Sequence, residues 1–553
     1  MGRGFSAVGT CLTALIVTAS LLVGNAGATG PPNLSAAKVL EDVRSCASAQ
    51  HQGGEWRGLN GDLANTRNQK AEQVIGPTEA TRLRPAWSFS AASIAVPGAM
   101  RSTPVVADGC VYLAFGQGYL GDRGDVVALN ADTGHVVWHR RVHGSVLGLT
   151  VRNHRVYAAV SAGRRSDSPF VTEDYVASGV SAMAFDASTG TLRWRSRRLD
   201  DGDSRNGTFI NATPVAFSAG GRQLVFVPLA GGAGDGARVP MYFLDARTGR
   251  VVKRSLSLAK PEYRAGYGGT GIWSTAAFDP IGRHLYAGTA DSDGHTRQHR
   301  YNNAILKIDA DPRRATFGEV VGHHRGTTEH ANLDALVGGT RNPLCGATAG
   351  SLAVDVPTFL DTSASIECLE LDLDFGASPN LYRGAAGRLK VVALQKSGVV
   401  HSVDTGSMRV DWQRFVGSGG AAMNSGTSAV AAGHVFTPAT PNLVLAHDDG
   451  DGSLLWASTT EVDAFAYGPV THANGVLYAV NNAGFLVALE ARTGRLLTRS
   501  LIARHGQAGQ CLGVGSGVAV ARNTVYAPCN GGGLADLAGL SPDPGGLVAY
   551  RTR

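Results

Sequence analysis

The stretch "LNADTGHVVW", Leu129–Trp138, decides how the rest of the chain is read. Asn and Asp accept hydrogen bonds from the backbone a few residues on and close a turn. Gly134 supplies the positive φ of a tight hairpin. The flanking residues alternate apolar and polar, as half-buried strands do. The phrase therefore joins two strands, and its closing Trp138 can pack between neighbouring units. It returns as "FDASTGTLRW" ending at Trp194, "LDARTGRVVK" at Lys253, "IDADPRRATF" at Phe317, "VDTGSMRVDW" at Trp412, "HDDGDGSLLW" at Trp456 and "LEARTGRLLT" at Thr498. The copies lie about 40 to 60 residues apart, with one gap of nearly 100, a period that marks a solenoid, propeller or array.

A second hairpin signal precedes each phrase. "STPVVADGCVYLAF" turns at Asp108-Gly109 and "GPVTHANGVLYAV" at Asn474-Gly475. Two hairpins make a four-stranded propeller blade. Seven sets are complete, and an eighth, "VGSGVAVARNTVYAP" with "GGLVAY", lacks its last strand. "LRPAWSFSA" (Leu83–Ala91) has an outer-strand pattern and no hairpin partner upstream. Used to complete the last blade, it closes the ring across the termini and removes a sheet edge. The expectation is an all-β, eight-bladed β-propeller of four-stranded antiparallel blades over 81–553, with seven blades as the alternative. Residues 29–80 read as a cap segment with a possible short helix over Leu34–Cys46. Long insertions at about 161–178, 229–239, 291–303 and 323–372 mark the functional face.

Composition agrees with short strands and tight turns. Of 553 residues 43% are hydrophobic, only 17% are charged, and 73 are Gly. The formal charge of +6 includes no dense Lys/Arg run, which argues against nucleic acid. Residues 1–28 read as a signal peptide: Arg3, an apolar stretch from about Val8 to Gly24, then Ala26-Gly27-Ala28. An uncleaved anchor is the alternative. No other membrane segment is evident, so the mature chain is expected to be secreted or in the cell envelope or periplasm. Six cysteines remain after cleavage, which in an oxidising compartment suggests disulfides. Cys345–Cys368 and Cys511–Cys529 each bracket one Gly-rich loop and are the preferred pairs among 15 connectivities. No CxxCH occurs, which excludes covalent c-type haem.

The "DARTG…W" hairpins resemble the tryptophan-docking repeats of quinoprotein dehydrogenases, eight-bladed propellers that carry pyrroloquinoline quinone (PQQ). "GDLANTRNQ" (Gly61–Gln69) with "LRPAW", "GIWSTAAFDP" with "LYAGTAD" (Leu285–Asp291), and "DFGASPNL" (Asp374–Leu381) with "ALQKSGVVHSVD" (Ala393–Asp404) strengthen the likeness. It covers about residues 57–553 and is closest to the polyvinyl-alcohol-dehydrogenase branch. The resemblance implies alcohol oxidation by hydride transfer to PQQ, with calcium and a separate electron acceptor, since no haem domain is present.

On the same resemblance, Trp273 matches the stacking tryptophan; the plain alternative is another docking or core indole. Lys396 matches the cation beside the reactive quinone oxygens, where it would stabilise developing charge; the alternative is a surface lysine at a turn. Asp291 falls at a calcium-ligand position, or is a solvated loop acid. Asp309 matches the catalytic base and a metal ligand, or simply forms its hairpin turn. The adjacent-cysteine pair of many members is missing. Asp235 stands one position off an expected glutamate ligand, and Arg101 stands near where many members carry an acid. "GHHRGTTEH", with His323, His324 and His330, reads as a solvated loop rather than a transition-metal site. A non-catalytic propeller that binds or scaffolds is the competing reading.

Overall fold

The computed structural model describes residues 45–96, 99–100, 102–116, 123–165, 175–199, 208–231, 238–290, 299–327, 373–416, 426–439, 443–459, 468–481, 483–502, 516–529 and 545–552. The signal peptide, residues 34–44 of the helix expected over Leu34–Cys46, Arg101, Asp235, Asp291 and His330 lie outside them, as do Cys345, Cys368 and Cys511.

Eight antiparallel sheets follow one another along the chain, each built on four strands in an up-and-down order. Blade 1 comprises Val105–Ala107, Cys110–Gly116, Arg123–Asn130 and Val136–His143. Blade 4 comprises Ala277–Asp279, His284–Gly288, Ala304–Asp309 and Val320–Arg325, and blade 5 Asn380–Arg383, Leu389–Leu394, Val399–Asp404 and Val410–Phe415. Blade 8 joins Ala519–Ala521, Thr524–Cys529 and Gly546–Thr552 to Leu83–Ser90 from the other end of the chain, as the orphan strand predicts. The first strands of successive blades touch, those of blades 3 and 4 through Phe217 and Phe278 and those of blades 8 and 1 as well, so the ring closes. The helices Pro77–Ala80 and Lys260–Arg264 are single turns. Among the described residues no helix is long and apolar enough to cross a membrane.

The repeated phrase works as its residues dictate. Asn130 Oδ1 accepts the N–H groups of Asp132 (2.9 Å) and Thr133 (3.1 Å), and Gly134 adopts φ +74°. Trp138 then lies on the next blade's hairpin, its Nε1 donating to the Ala187 carbonyl at 2.8 Å. Trp87, Trp194, Trp412 and Trp456 make the same bond to Ala131, Ala246, Asp449 and Ala491. The receiving residue must be glycine: a Cβ on Gly134, Gly190, Gly249, Gly452 or Gly494 would sit 2.4–2.6 Å from the indole. Trp87 belongs to the N-terminal strand and seals blade 8 onto blade 1.

The leading segment does more than cap. Residues 54–69 run along the axis and bond to the innermost strands of seven blades. Trp56 exchanges two 2.7 Å backbone bonds with Val106, and the carbonyls of Arg57, Leu63, Ala64, Thr66 and Arg67 accept from Val151, Phe278, Leu381, Val430 and His472. Gln69 Nε2 donates to the Val520 carbonyl at 2.9 Å. Fully buried Arg67 donates to the carbonyls of Leu59, Val470 and Val518 and to Asn60 Oδ1 and Thr471 Oγ1; burial alone lowers its pKa to about 9. A disulfide between Cys46 and Cys110 ties the start of this segment to blade 1. Cys529 is also disulfide-bonded.

Candidate functional site

Trp273 and Lys396, 123 residues apart in sequence, meet at one end of the ring. Trp273 sits just before the first strand of blade 4. Its N–H donates to the Gly288 carbonyl at 3.2 Å, and its carbonyl accepts from Asn211 Nδ2 at 3.2 Å. Phe209 meets the indole edge-on, at 87° and 6.0 Å between centroids. Backbone and ring are thus both held, and the indole is only half-buried. Gly288 is required here: a Cβ would stand 2.5 Å from Phe375 Cβ.

Lys396 lies on the turn between the second and third strands of blade 5. That turn closes through Gln395 N–H to Val399 O and Gly398 N–H to Gln395 O, both 2.9 Å. The Lys396 ammonium lies 5.3 Å from the Trp273 ring centroid and 3.1 Å from Asp374 Oδ2. Both charged side chains are only 6% exposed. A cation held over an indole away from water interacts on the order of 2 kcal/mol. Asp374 was not singled out in the sequence, although it opens the quoted "DFGASPNL". Its signal is a carboxylate at the start of the segment whose own backbone carbonyl bonds Lys396 N–H at 3.0 Å.

A buried polar network stands behind this pair. Gln395 Oε1 accepts from Thr327 N–H (2.9 Å), Ser397 Oγ (2.9 Å) and His401 Nε2 (2.9 Å), and Gln395 Nε2 donates to the Thr327 and Leu373 carbonyls. With His401 Nε2 donating, its Nδ1 accepts from Gln413 Nε2 at 2.7 Å and His324 Nε2 at 3.1 Å. Burial drives the His401 pKa well below its usual value and that of His324 down to about 4. His324 is therefore a buried member of this network, not part of a solvated loop. It is the next-to-last residue of the outer strand of blade 4, where its ring packs against His401 of blade 5.

Asp309 does not join the site. It ends the third strand of blade 4, at the other end of that six-residue strand from Ala304. Oδ1 accepts from Asp311 N–H at 3.0 Å and Arg314 Nη1 at 3.2 Å, and Oδ2 accepts from Thr316 Oγ1. These bonds form the hairpin turn. Among the described residues no group of three or more His, Cys, Asp or Glu could hold a metal ion.

The model of the family described as outer membrane protein assembly factor BamB matches residues 71–271 and 390–551. Two curated relatives carry the name expected from the sequence. A polyvinylalcohol dehydrogenase of Sphingopyxis sp. (strain 113P3) is 24% identical over 455 residues, covering 75% of this chain and 60% of that protein. Another, of Pseudomonas sp., is 23% identical over 386 residues, covering 66% and 52%. The chain thus spans between half and two thirds of these relatives' length. Among solved structures, a europium-containing methanol dehydrogenase superposes with TM-score 0.63 at 15% identity, over 90% of this chain and 98% of that one. A quinohemoprotein alcohol dehydrogenase from Comamonas testosteroni also gives 0.63, at 16% identity, over 91% and 81%. At such identities the structural likeness establishes the propeller fold.

Proposed function

The chain belongs to the family described as outer membrane protein assembly factor BamB, and within that fold we propose that it is an exported dehydrogenase-like propeller that oxidises an alcohol with PQQ. The observation that carries the reading is the convergence of Trp273, Lys396 and Asp374. The names of the two curated relatives support the substrate class.

The residues present fit a flat anionic quinone: a rigid indole with part of its surface open, a cation beside it, and a carboxylate that fixes the cation's place. The quinone, when bound, supplies the hydride acceptor. Trp273 provides a planar apolar support for its rings. Lys396 Nζ provides fixed positive charge in a water-poor setting, where charge that develops during reaction is stabilised most. Asp374 and Gln395 orient Lys396, and Phe209 orients Trp273. Asp309 takes no part. Calcium has no described ligand set beyond the position of Asp291, so it enters as one arm of the test. The disulfides support an oxidising compartment.

The test mixes purified protein with PQQ, with and without calcium, and follows quinone absorbance, tryptophan quenching and dye-linked oxidation of alcohols. Uptake should be weakened by Trp273→Ala, and Lys396→Ala should cut turnover by about 100-fold or more. Protein that never takes up the quinone is instead a binding propeller. That second reading draws on the remoteness of Asp309.

A further inference from the structure

One buried ring touches the supports of both halves of the Trp273–Lys396 pair. His401 lies on the third strand of blade 5 and packs on Phe375, at 5.3 Å and 65° between the rings. Phe375 follows Asp374, the carboxylate that holds Lys396 Nζ, and its own N–H donates to the Thr289 carbonyl at 3.2 Å. It also lies against Gly288, whose carbonyl accepts the Trp273 N–H. Through Nε2 the same imidazole bonds Gln395 Oε1 at 2.9 Å. Gln395 directly precedes Lys396 on the turn that carries it.

The neighbours dictate the form of that ring. Gln395 Nε2 donates to the Thr327 and Leu373 carbonyls, so its Oε1 is the atom facing His401, and His401 Nε2 carries the proton. Nδ1 then accepts, from Gln413 Nε2 at 2.7 Å and His324 Nε2 at 3.1 Å. Only a neutral imidazole donates at one nitrogen and accepts at the other. A phenyl ring would leave Gln413 Nε2 without its acceptor and take one donor from Gln395. An imidazolium would point a second N–H at the donors of Gln413 and His324.

We propose that His401 is a positioning residue of this site. Its bond to Gln395 and its packing on Phe375 fix the turn that carries Lys396 against the segment that carries Asp374, and so hold the ammonium over Trp273. Lysine has a flexible four-carbon stem and does not choose one place unaided. Here its N–H bonds the Asp374 carbonyl at 3.0 Å and its Nζ bonds Asp374 Oδ2 at 3.1 Å. Both bonds require turn and segment at one separation, and His401 touches both. The inference rests on the reading of Trp273 and Lys396 as the working site, but its test reads the lysine and not the quinone.

The test is competitive acylation of the full chain with acetic anhydride, each lysine's rate being read by peptide mass spectrometry. Lys390 is the internal standard: it lies in the same blade, pairs with Asp411, and its side chain is 7% exposed against 6% for Lys396. His401→Phe should speed acylation of Lys396 relative to Lys390 by about tenfold, the scale of one lost buried hydrogen bond. His401→Gln returns a donor at the same reach and should restore most of the protection. Gln413→Met removes the donor that holds Nδ1; it should raise the same ratio, and it decides the matter if His401→Phe does not fold. Three results overturn the proposal: an unchanged ratio in the folded variants, both lysines rising together as when the whole blade loosens, or His401→Gln as reactive as His401→Phe. Quinone uptake by the unaltered protein, measured separately, decides the reading of the site itself.

Discussion

Lys396 and Asp374 form a buried ion pair whose members hold each other in place. Removing one partner of such a pair leaves a charge stranded out of water, which costs about 3–5 kcal/mol, whereas replacing both with neutral groups of similar shape costs far less. Lys396→Met should therefore lower unfolding stability in urea by that amount, and Lys396→Met combined with Asp374→Asn should restore most of it. Equal losses in the single and double variants would mean the two side chains are not coupled. The same cycle separates structure from chemistry: a refolded double variant that still fails to take up quinone ties the cation to binding.

Blade-to-blade docking shows how the repeat survives its own exceptions. At the blade 4 position opposite Lys307, where other blades carry Trp, stands Gly322. The residue it faces is Met408, which takes the positive φ that glycine adopts elsewhere (φ +55°). Lys307 Nζ donates to the Thr405 carbonyl at 2.8 Å, replacing the indole N–H. Bulk has been exchanged across the interface. Gly322→Trp alone should clash with Met408, and Met408→Gly alone should leave a cavity, each costing about 1–3 kcal/mol by thermal unfolding; the two together should cost less than their sum. In blade 3 the exchange is internal: Phe243 faces Lys253 and packs on Phe317 at 4.7 Å. Thr498 needs no indole, because blade 8 is closed by a strand from the other terminus and has no hairpin to receive one. The hairpins, the blade number and the missing strand were legible because turn chemistry and alternation are local. Trp273 and Lys396 were singled out through the resemblance alone, and their meeting depends on contacts between distant segments. Asp309 carries the same carboxylate that closes the turn at most hairpins, so residue type alone does not separate chemistry from turn formation. Asp374 and the axial course of residues 54–69 depend on contacts between distant segments, as does Cys46–Cys110, and no local pattern announces them.

Across the whole ring the blades lean on buried imidazoles as well as on apolar packing. His324, His401, His447 and His472 come from blades 4, 5, 6 and 7 and are at most 9% exposed. Burial is the chief cause that lowers each: His324, His447 and His472 to about 4, and His401 well below its usual value. The folded protein keeps these rings neutral, while the unfolded chain protonates them below about pH 6.5. Their contribution to stability is therefore complete above pH 6.5 and is lost as pH falls toward 4. Each such histidine should remove about 1 kcal/mol between pH 7.5 and 5.5. Because they sit in four consecutive blades of one closed ring, their losses add in a single cooperative unfolding step. Urea melts at the two pH values should show a fall of several kcal/mol, and His447→Gln should shrink it by one histidine's share. A stability that stays flat from pH 7.5 to 5.5 would mean that these rings are hydrated or already charged in the fold.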